Sequence, residues 1–136
     1  MPRSKQVKLS VSTNRSSELV DITALVADQI RESGISSGVC HLFVPHTTAA
    51  VTINENADPD VAHDILGGLS SIVDEERPYR HAEGNSPAHI KSSLIGASET
   101  VFIDGGRMLL GTWQGIYFCE FDGPRSRKLY VRILES

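Results

Sequence analysis

Most of the features that would tie this chain to a specialised class are missing from it. It has only two cysteines in 136 residues, Cys40 and Cys119, too few for a disulfide framework. Each stands in an apolar run, with HLFV after Cys40 and IYF before Cys119, which predicts reduced thiols buried in strands. No apolar run approaches the ~20 residues of a membrane-spanning helix. The N-terminal residues lead into alternating Val7, Leu9 and Val11, not into the apolar block of a secretory signal. A cytoplasmic protein without a membrane partner is therefore expected. Excess positive charge is lacking too: 13 basic against 17 acidic side chains leave a net charge of −4, no field for steering onto a nucleic-acid backbone. The chain also has no H-E-x-x-H or C-x-x-C pattern and no glycine-rich phosphate loop. Repeats, linkers and low-complexity tracts are absent, so residues 1–136 are expected to form a single domain.

What is present is an apolar fraction of 40%, enough for a core without staples, arranged with two periods. Lys5–Ser12 alternates as a half-buried strand does. From Ile22 the period becomes helical, with Ile22, Leu25, Val26 and Ile30 on one face and Gly34 as the stop. Gly38–Pro45 and Ala49–Glu55 read as strands. Asp58-Pro59 combines a cap with a proline at the first helical position, and apolar residues then keep helical spacing to about Glu75. Within that helix, Gly67-Gly68 suggests a close packing contact. Arg77–Asn85 has no period and is expected to be a loop. Ser86-Pro87 repeats the cap-plus-proline pattern and opens a short helix ending near Gly96. Glu99–Asp104, Arg107–Trp113, Ile116–Asp122 and Lys128–Leu134 are β-rich and punctuated by turn residues. The order β-α-β-β-α-α followed by four strands predicts an α+β fold of mostly antiparallel strands with two to three helices.

All five histidines lie between positions 41 and 89. His41 falls inside a strand, where a structural role is expected, and His63 on a helix beside Asp60 and Asp64, a solvated face. The other three fall where binding groups concentrate on a rigid scaffold: His46 at a strand end, His81 in the loop, His89 in the first turn of a helix. If they converge, three neutral imidazoles bind a divalent metal with one open position, or serve as acid, base and phosphate donor without one. The spacing alone leaves both open, together with unrelated surface histidines. Thr47 and Thr48 add hydroxyls for an oxyanion, or else only start the next strand. Asn54 and Glu55 end an apolar strand. Trp113 and Gln114 sit near a hairpin end, where the indole either packs in the core or offers a stacking wall. Glu120, between Cys119 and Phe121, is costly to bury unless paired, with Arg125 or Arg127 as its expected partner. Arg125, in a turn, has the fork to hold a phosphate.

Five blocks occur in order: HTTAAVTINE from His46, NADPDVAHD from Asn56, HAEGNSPAH from His81, LGTWQ from Leu110 and EFDGPRSR from Glu120. Together they resemble the YjbQ family over essentially the whole chain. The resemblance implies a sandwich-like fold, a homotrimer with clefts near subunit interfaces, and a weak, secondary thiamine-phosphate synthase activity with the primary role unsettled. It implies catalytic roles for His46, Glu55, His81, His89 and Glu120, with metal (zinc or magnesium) or a phosphate-like anion at His46, His81 and His89. Substrate contacts would come from Thr47, Thr48, Asn54, Asp64, Asn85, Trp113, Gln114 and Arg125. The alternatives are a metal-dependent hydrolase or isomerase of a small phosphorylated metabolite, and a trimeric phosphate-ligand-binding module without catalysis.

Overall fold

The computed structural model describes residues 2–136. Eight strands and three helices follow one another as β1 (Ser4–Ser12), β2 (Glu18–Asp21), α1 (Thr23–Ser33), β3 (Ser37–Phe43), β4 (Ala49–Glu55), α2 (Pro59–Ile72), α3 (Ser86–Ile95), β5 (Ser98–Asp104), β6 (Arg107–Met108), β7 (Gln114–Glu120) and β8 (Ser126–Glu135). The fold is α+β, with every strand pair antiparallel. A five-stranded sheet runs β1-β8-β3-β5-β6 and a three-stranded sheet β2-β7-β4. The four-residue β2 was not foreseen, because Glu18–Asp21 is too short to display a period, and Arg107–Trp113 forms a strand only over its first two residues.

Alternation explains the packing. Val11 of β1, Cys40 and Leu42 of β3, Val101 and Ile103 of β5 and Leu129, Val131 and Ile133 of β8 turn inward from the large sheet. Ala49 and Val51 of β4 and Ile116 and Phe118 of β7 meet them from the small one. Helix α1 adds Val26 and Ile30 to this core and ends at Gly34 with φ 70°, the left-handed stop expected of a glycine, while Leu25 remains partly exposed. The other face of the small sheet packs Ala50, Cys119 and Phe121 against Leu69 of α2 and Ala88 of α3. Large sheet, small sheet and helix pair thus form three layers. Both cysteines are buried and free, and burial pushes each thiol up to about 12.

Two local expectations change. A Cβ on Gly67 or Gly68 would meet nothing within 4 Å, so that pair marks no close contact. Helix α3 is capped at Asn85 without a side-chain hydrogen bond, not by Ser86. Asp58 does cap α2, accepting from the Asp60 N–H at 2.9 Å.

Candidate functional site

After β3, Val44 hydrogen-bonds to the Ala97 carbonyl at 2.8 Å, and Val51 of β4 to the Gly96 carbonyl at 3.2 Å. These bonds tie the exit of α3 to the β3–β4 connection. The open groove between them is lined by His46, Thr47 and Ala49 on one wall and by His89, Ser92, Ser93, Gly96 and Ala97 on the other, with a volume of about 510 Å³. His46 and His89, 43 positions apart in the chain, therefore share one concave surface. His81 joins them through His89, the two rings lying edge to face with centroids 5.4 Å apart.

The Lys128 N–H donates to His46 Nε2 at 2.9 Å. A backbone donor at Nε2 requires a lone pair there, so the neutral ring carries its proton on Nδ1. Burial and the positive charge of Arg127 hold the His46 pKa below its ordinary value, against the opposing pull of Glu120. Ser92 is buried and its Oγ has no hydrogen-bond partner, a polar orphan beside His89. Nothing in the sequence singled out Ser92 or Ser93.

Glu120 is fully buried and paired with Arg127, whose Nε donates to Oε1 at 2.8 Å and whose Nη2 reaches Oε2. The Thr13 hydroxyl and the Asp122 N–H add donors at 2.8 and 3.0 Å. Burial works to raise the Glu120 carboxyl, but these donors and the guanidinium outweigh it and hold the pKa below the usual range. Arg127 also donates to the Thr48 hydroxyl at 2.9 Å and to its carbonyl. The Thr48 side chain is thereby spent on the ion pair and does not line the groove, whereas Thr47 does. Glu120 is a carboxylate that positions Arg127 and Thr48, and Arg125 is not its partner. Arg125 instead folds back on Asp122, donating to its carbonyl at 2.9 Å and its carboxylate at 3.2 Å.

Among the described residues no three His, Cys, Asp or Glu side chains gather around a point where one ion could sit. His46 and His89 line one groove, His81 touches only the His89 ring, and the described residues of one chain do not assemble the three into a metal site. Asn85 points its amide at Asp122 (2.9 Å) and lines a separate polar hollow of about 300 Å³ with Lys91, Ser16, Ser17 and Ser70. In that hollow the buried Lys91 ammonium pairs with Glu75 at 2.6 Å.

The remaining expected residues lie elsewhere. Ala49 pairs with Glu120 at one end of β4, and Glu55 with Gln114 at the other. Seven residues of strand, about 20 Å, separate them. At that far end Asn54 is exposed, Tyr117 donates to the Glu55 carbonyl at 3.1 Å, and Gln114 accepts from the Gly111 N–H at 2.8 Å. Trp113 is 62% exposed, so it is not a core residue. Asp64 stands on the outer side of α2, 83% exposed, beside an equally exposed His63. His41 is exposed with Nδ1 on the Thr100 hydroxyl at 2.9 Å. Within one chain the expected constellation is thus split into a histidine end and a tryptophan end.

A helix-backed antiparallel sandwich with a histidine groove at the β3–β4 connection is the class that fold and site define. The sequence profile of the UPF0047 protein YjbQ-like family matches residues 7–136, and the chain belongs to that family. It is 54% identical over 127 residues to a UPF0047 protein of Methanocaldococcus jannaschii, covering 93% of this chain and 92% of that one. To the UPF0047 protein YugU of Bacillus subtilis it is 50% identical, covering 93% and 96%. Among solved structures, an uncharacterized YjbQ/UPF0047 protein of Clostridium acetobutylicum superposes with a TM-score of 0.91 at 53% identity, covering 93% and 98%. A protein of unknown function from Sulfolobus solfataricus superposes over the full length of both chains, with a TM-score of 0.95 at 35% identity. None of the described helices is long and apolar enough to cross a membrane.

Proposed function

We propose that the groove between His46 and His89 receives a small phosphorylated metabolite, and that the chemistry open to it is a thiamine-phosphate synthase-like transfer running as a secondary activity. The observation that supports this most is the Lys128 N–H on His46 Nε2, which leaves a neutral imidazole with a proton fixed on Nδ1 in a groove that also holds His89, Thr47, Ser92 and Ser93. Donors without a competing carboxylate suit phosphate oxygens.

In the transfer, the thiazole nitrogen attacks the methylene carbon of an aminopyrimidine-methyl diphosphate. The carbon–nitrogen bond forms, the carbon–oxygen bond breaks, and diphosphate leaves with the electron pair, placing positive charge on the thiazolium nitrogen. His46, His89 and Thr47 would hold the phosphate oxygens, and Arg125, whose charge already acts on His46, would add a cation once drawn off Asp122. The wall for the flat ring and the carboxylate facing the developing cation are sought in Trp113, Gln114 and Glu55. Because these lie at the opposite end of β4, the reading places them with the histidines of another chain in a homotrimer. Asn54 and Asp64 belong to the same far side. The protein would act in the cytoplasm.

The test is thiamine phosphate formation from the two substrates, in wild type, His46→Ala and Trp113→Ala, with the mass in solution measured alongside. Slow turnover by a trimer, lost in both variants, supports the reading. Turnover that survives His46→Ala removes it. A second reading, a metal-dependent hydrolase or isomerase, rests on the His81–His89 contact and needs a further ligand brought by another chain. Zinc or magnesium near one per chain in untagged protein would favour it. Phosphate-ester binding without any turnover favours the binding module.

A further inference from the structure

On the outward face of the five-stranded sheet the described side chains are exposed or half-buried, and they fall into rows set by strand register. One row runs Gln6, Arg132, His41, Thr100; the next runs Lys8, Tyr130, Phe43, Ser98. The first row is cross-linked. Arg132 donates from Nε to Gln6 Oε1 at 2.8 Å and from Nη2 to the same oxygen, and His41 Nδ1 meets the Thr100 hydroxyl at 2.9 Å. The guanidinium is therefore oriented by a neutral acceptor, which fixes its geometry without cancelling its charge. Nη1 and His41 Nε2 remain free of these bonds. In the second row Phe43, 49% exposed, sits directly across from Tyr130.

Between the rows lies a depression of about 490 Å³, lined by Gln6, His41, Phe43, Tyr130 and Arg132. It shares no lining residue with the His46–His89 groove. Lys8 and Lys128 flank it, and among the described residues neither they nor Arg132 forms an ion pair. On a chain of net charge −4 this is a cationic, aromatic island without a carboxylate in its lining. The volume is within the ~300–1,000 Å³ of small-molecule sites. A guanidinium held in place but left without a carboxylate partner calls for an anion, and two facing aromatic side chains call for a flat ring.

We propose that this depression is a second binding site, for a small aromatic ring bearing a phosphate or carboxylate, with the ring against Phe43 and Tyr130 and the anionic group on Arg132 and His41. The site is independent of the histidine groove and of any transfer chemistry there.

The test uses the full chain, titrated calorimetrically and by backbone amide shifts with phenyl phosphate, benzoate, benzyl alcohol and inorganic phosphate. Phenyl phosphate or benzoate is expected to saturate one site and to shift Gln6, His41, Phe43, Tyr130 and Arg132. Loss of a charge-assisted pair is worth about tenfold or more in affinity. Benzyl alcohol and Arg132→Gln with phenyl phosphate should each show it, and Tyr130→Ser should weaken both aromatic anions. If Arg132→Gln does not fold, the comparison of charged with neutral ligands on wild type decides alone. The proposal is overturned if benzyl alcohol binds equally, or if folded Arg132→Gln binds as wild type does. It is likewise overturned if saturable shifts appear only at His89, Ser92 and Ser93. Absence of any saturable shift on this face, as when a second copy of the chain covers it, overturns it too.

Discussion

Glu120 and Arg127 face one another across adjacent segments of the chain in a place water does not reach. Arg127 Nε lies 2.8 Å from Glu120 Oε1, and the two side chains are 2% and 0% exposed. The same guanidinium holds Thr48, while the next residue's N–H holds His46. One buried pair thus fixes the base of the β3–β4 connection from which the groove is built.

Breaking such a pair from one side leaves a bare charge in the core, which costs about 3–5 kcal/mol. Arg127→Met is expected to lower unfolding free energy by that amount in a denaturant titration. The double variant Glu120→Gln, Arg127→Met should recover a good part of it. A loss below about 1 kcal/mol for Arg127→Met would contradict the burial described here.

The pair also sets an acid limit. The Glu120 carboxyl is depressed in the folded chain, so the unfolded chain binds its proton first as pH falls. Its contribution is complete above the unfolded value of about 4.3 and is lost as pH drops through the lower folded value. Wild-type stability should therefore fall steeply below about pH 4.3, and the double variant should fall less steeply over the same range.

His46 follows the same sign at a higher pH. Its pKa is lowered by burial and by Arg127, and protonation would put a second N–H against the Lys128 N–H. Its stabilising contribution is full above about 6.5 and declines as pH falls below that. Nitrogen-15 spectra of the imidazole at pH 7 should show a neutral ring protonated at Nδ1. A ring protonated at Nε2 would remove the hydrogen bond on which this assignment rests.

Gly38 is required by contact, not by conformation. A Cβ there would sit 2.0 Å from the Leu134 carbonyl oxygen of β8, which is backbone and cannot turn aside. Gly38→Ala should cost at least the ~1–3 kcal/mol of core overpacking and lower the melting temperature accordingly. Gly67→Ala, with open space around it in the middle of α2, should be neutral or mildly stabilising.

Trp113→Ala is expected to shift the stability of the single chain by no more than about 0.5 kcal/mol, since within one chain the indole is largely in solvent. A large stability loss would show that another chain packs on it.

Much of the fold was legible because its cues are local. Alternation marked β1, apolar β-rich runs between turn residues marked β3, β4, β5, β7 and β8, Asp58-Pro59 marked α2, and Gly34 marked the end of α1. β2 was invisible, since four residues hydrogen-bonded to β7 carry no period of their own. The site was legible only in part. His46, Thr47 and His89 were recognisable as residues at element ends, and the structure brings them together. Glu120 drew notice as a carboxylate in an apolar strand, yet its partner was decided by register: Arg127 turns inward on β8, while Arg125 lies in the turn before it. Ser92 and Lys91 gave no signal, because their burial comes from how α3 lies on β4. The family resemblance grouped Trp113 and Glu55 with the histidines in one site. The length of β4 keeps them apart.

The central claim is that His46 and His89 act on one phosphorylated guest. The imidazole resonances of both, followed while the thiazole phosphate is added to the intact protein, test it most directly. The account predicts that both rings shift along a single saturation curve, His46 remaining neutral at pH 7. If one ring moves while the other stays at rest at saturation, or neither moves, they do not share a ligand and the account is wrong.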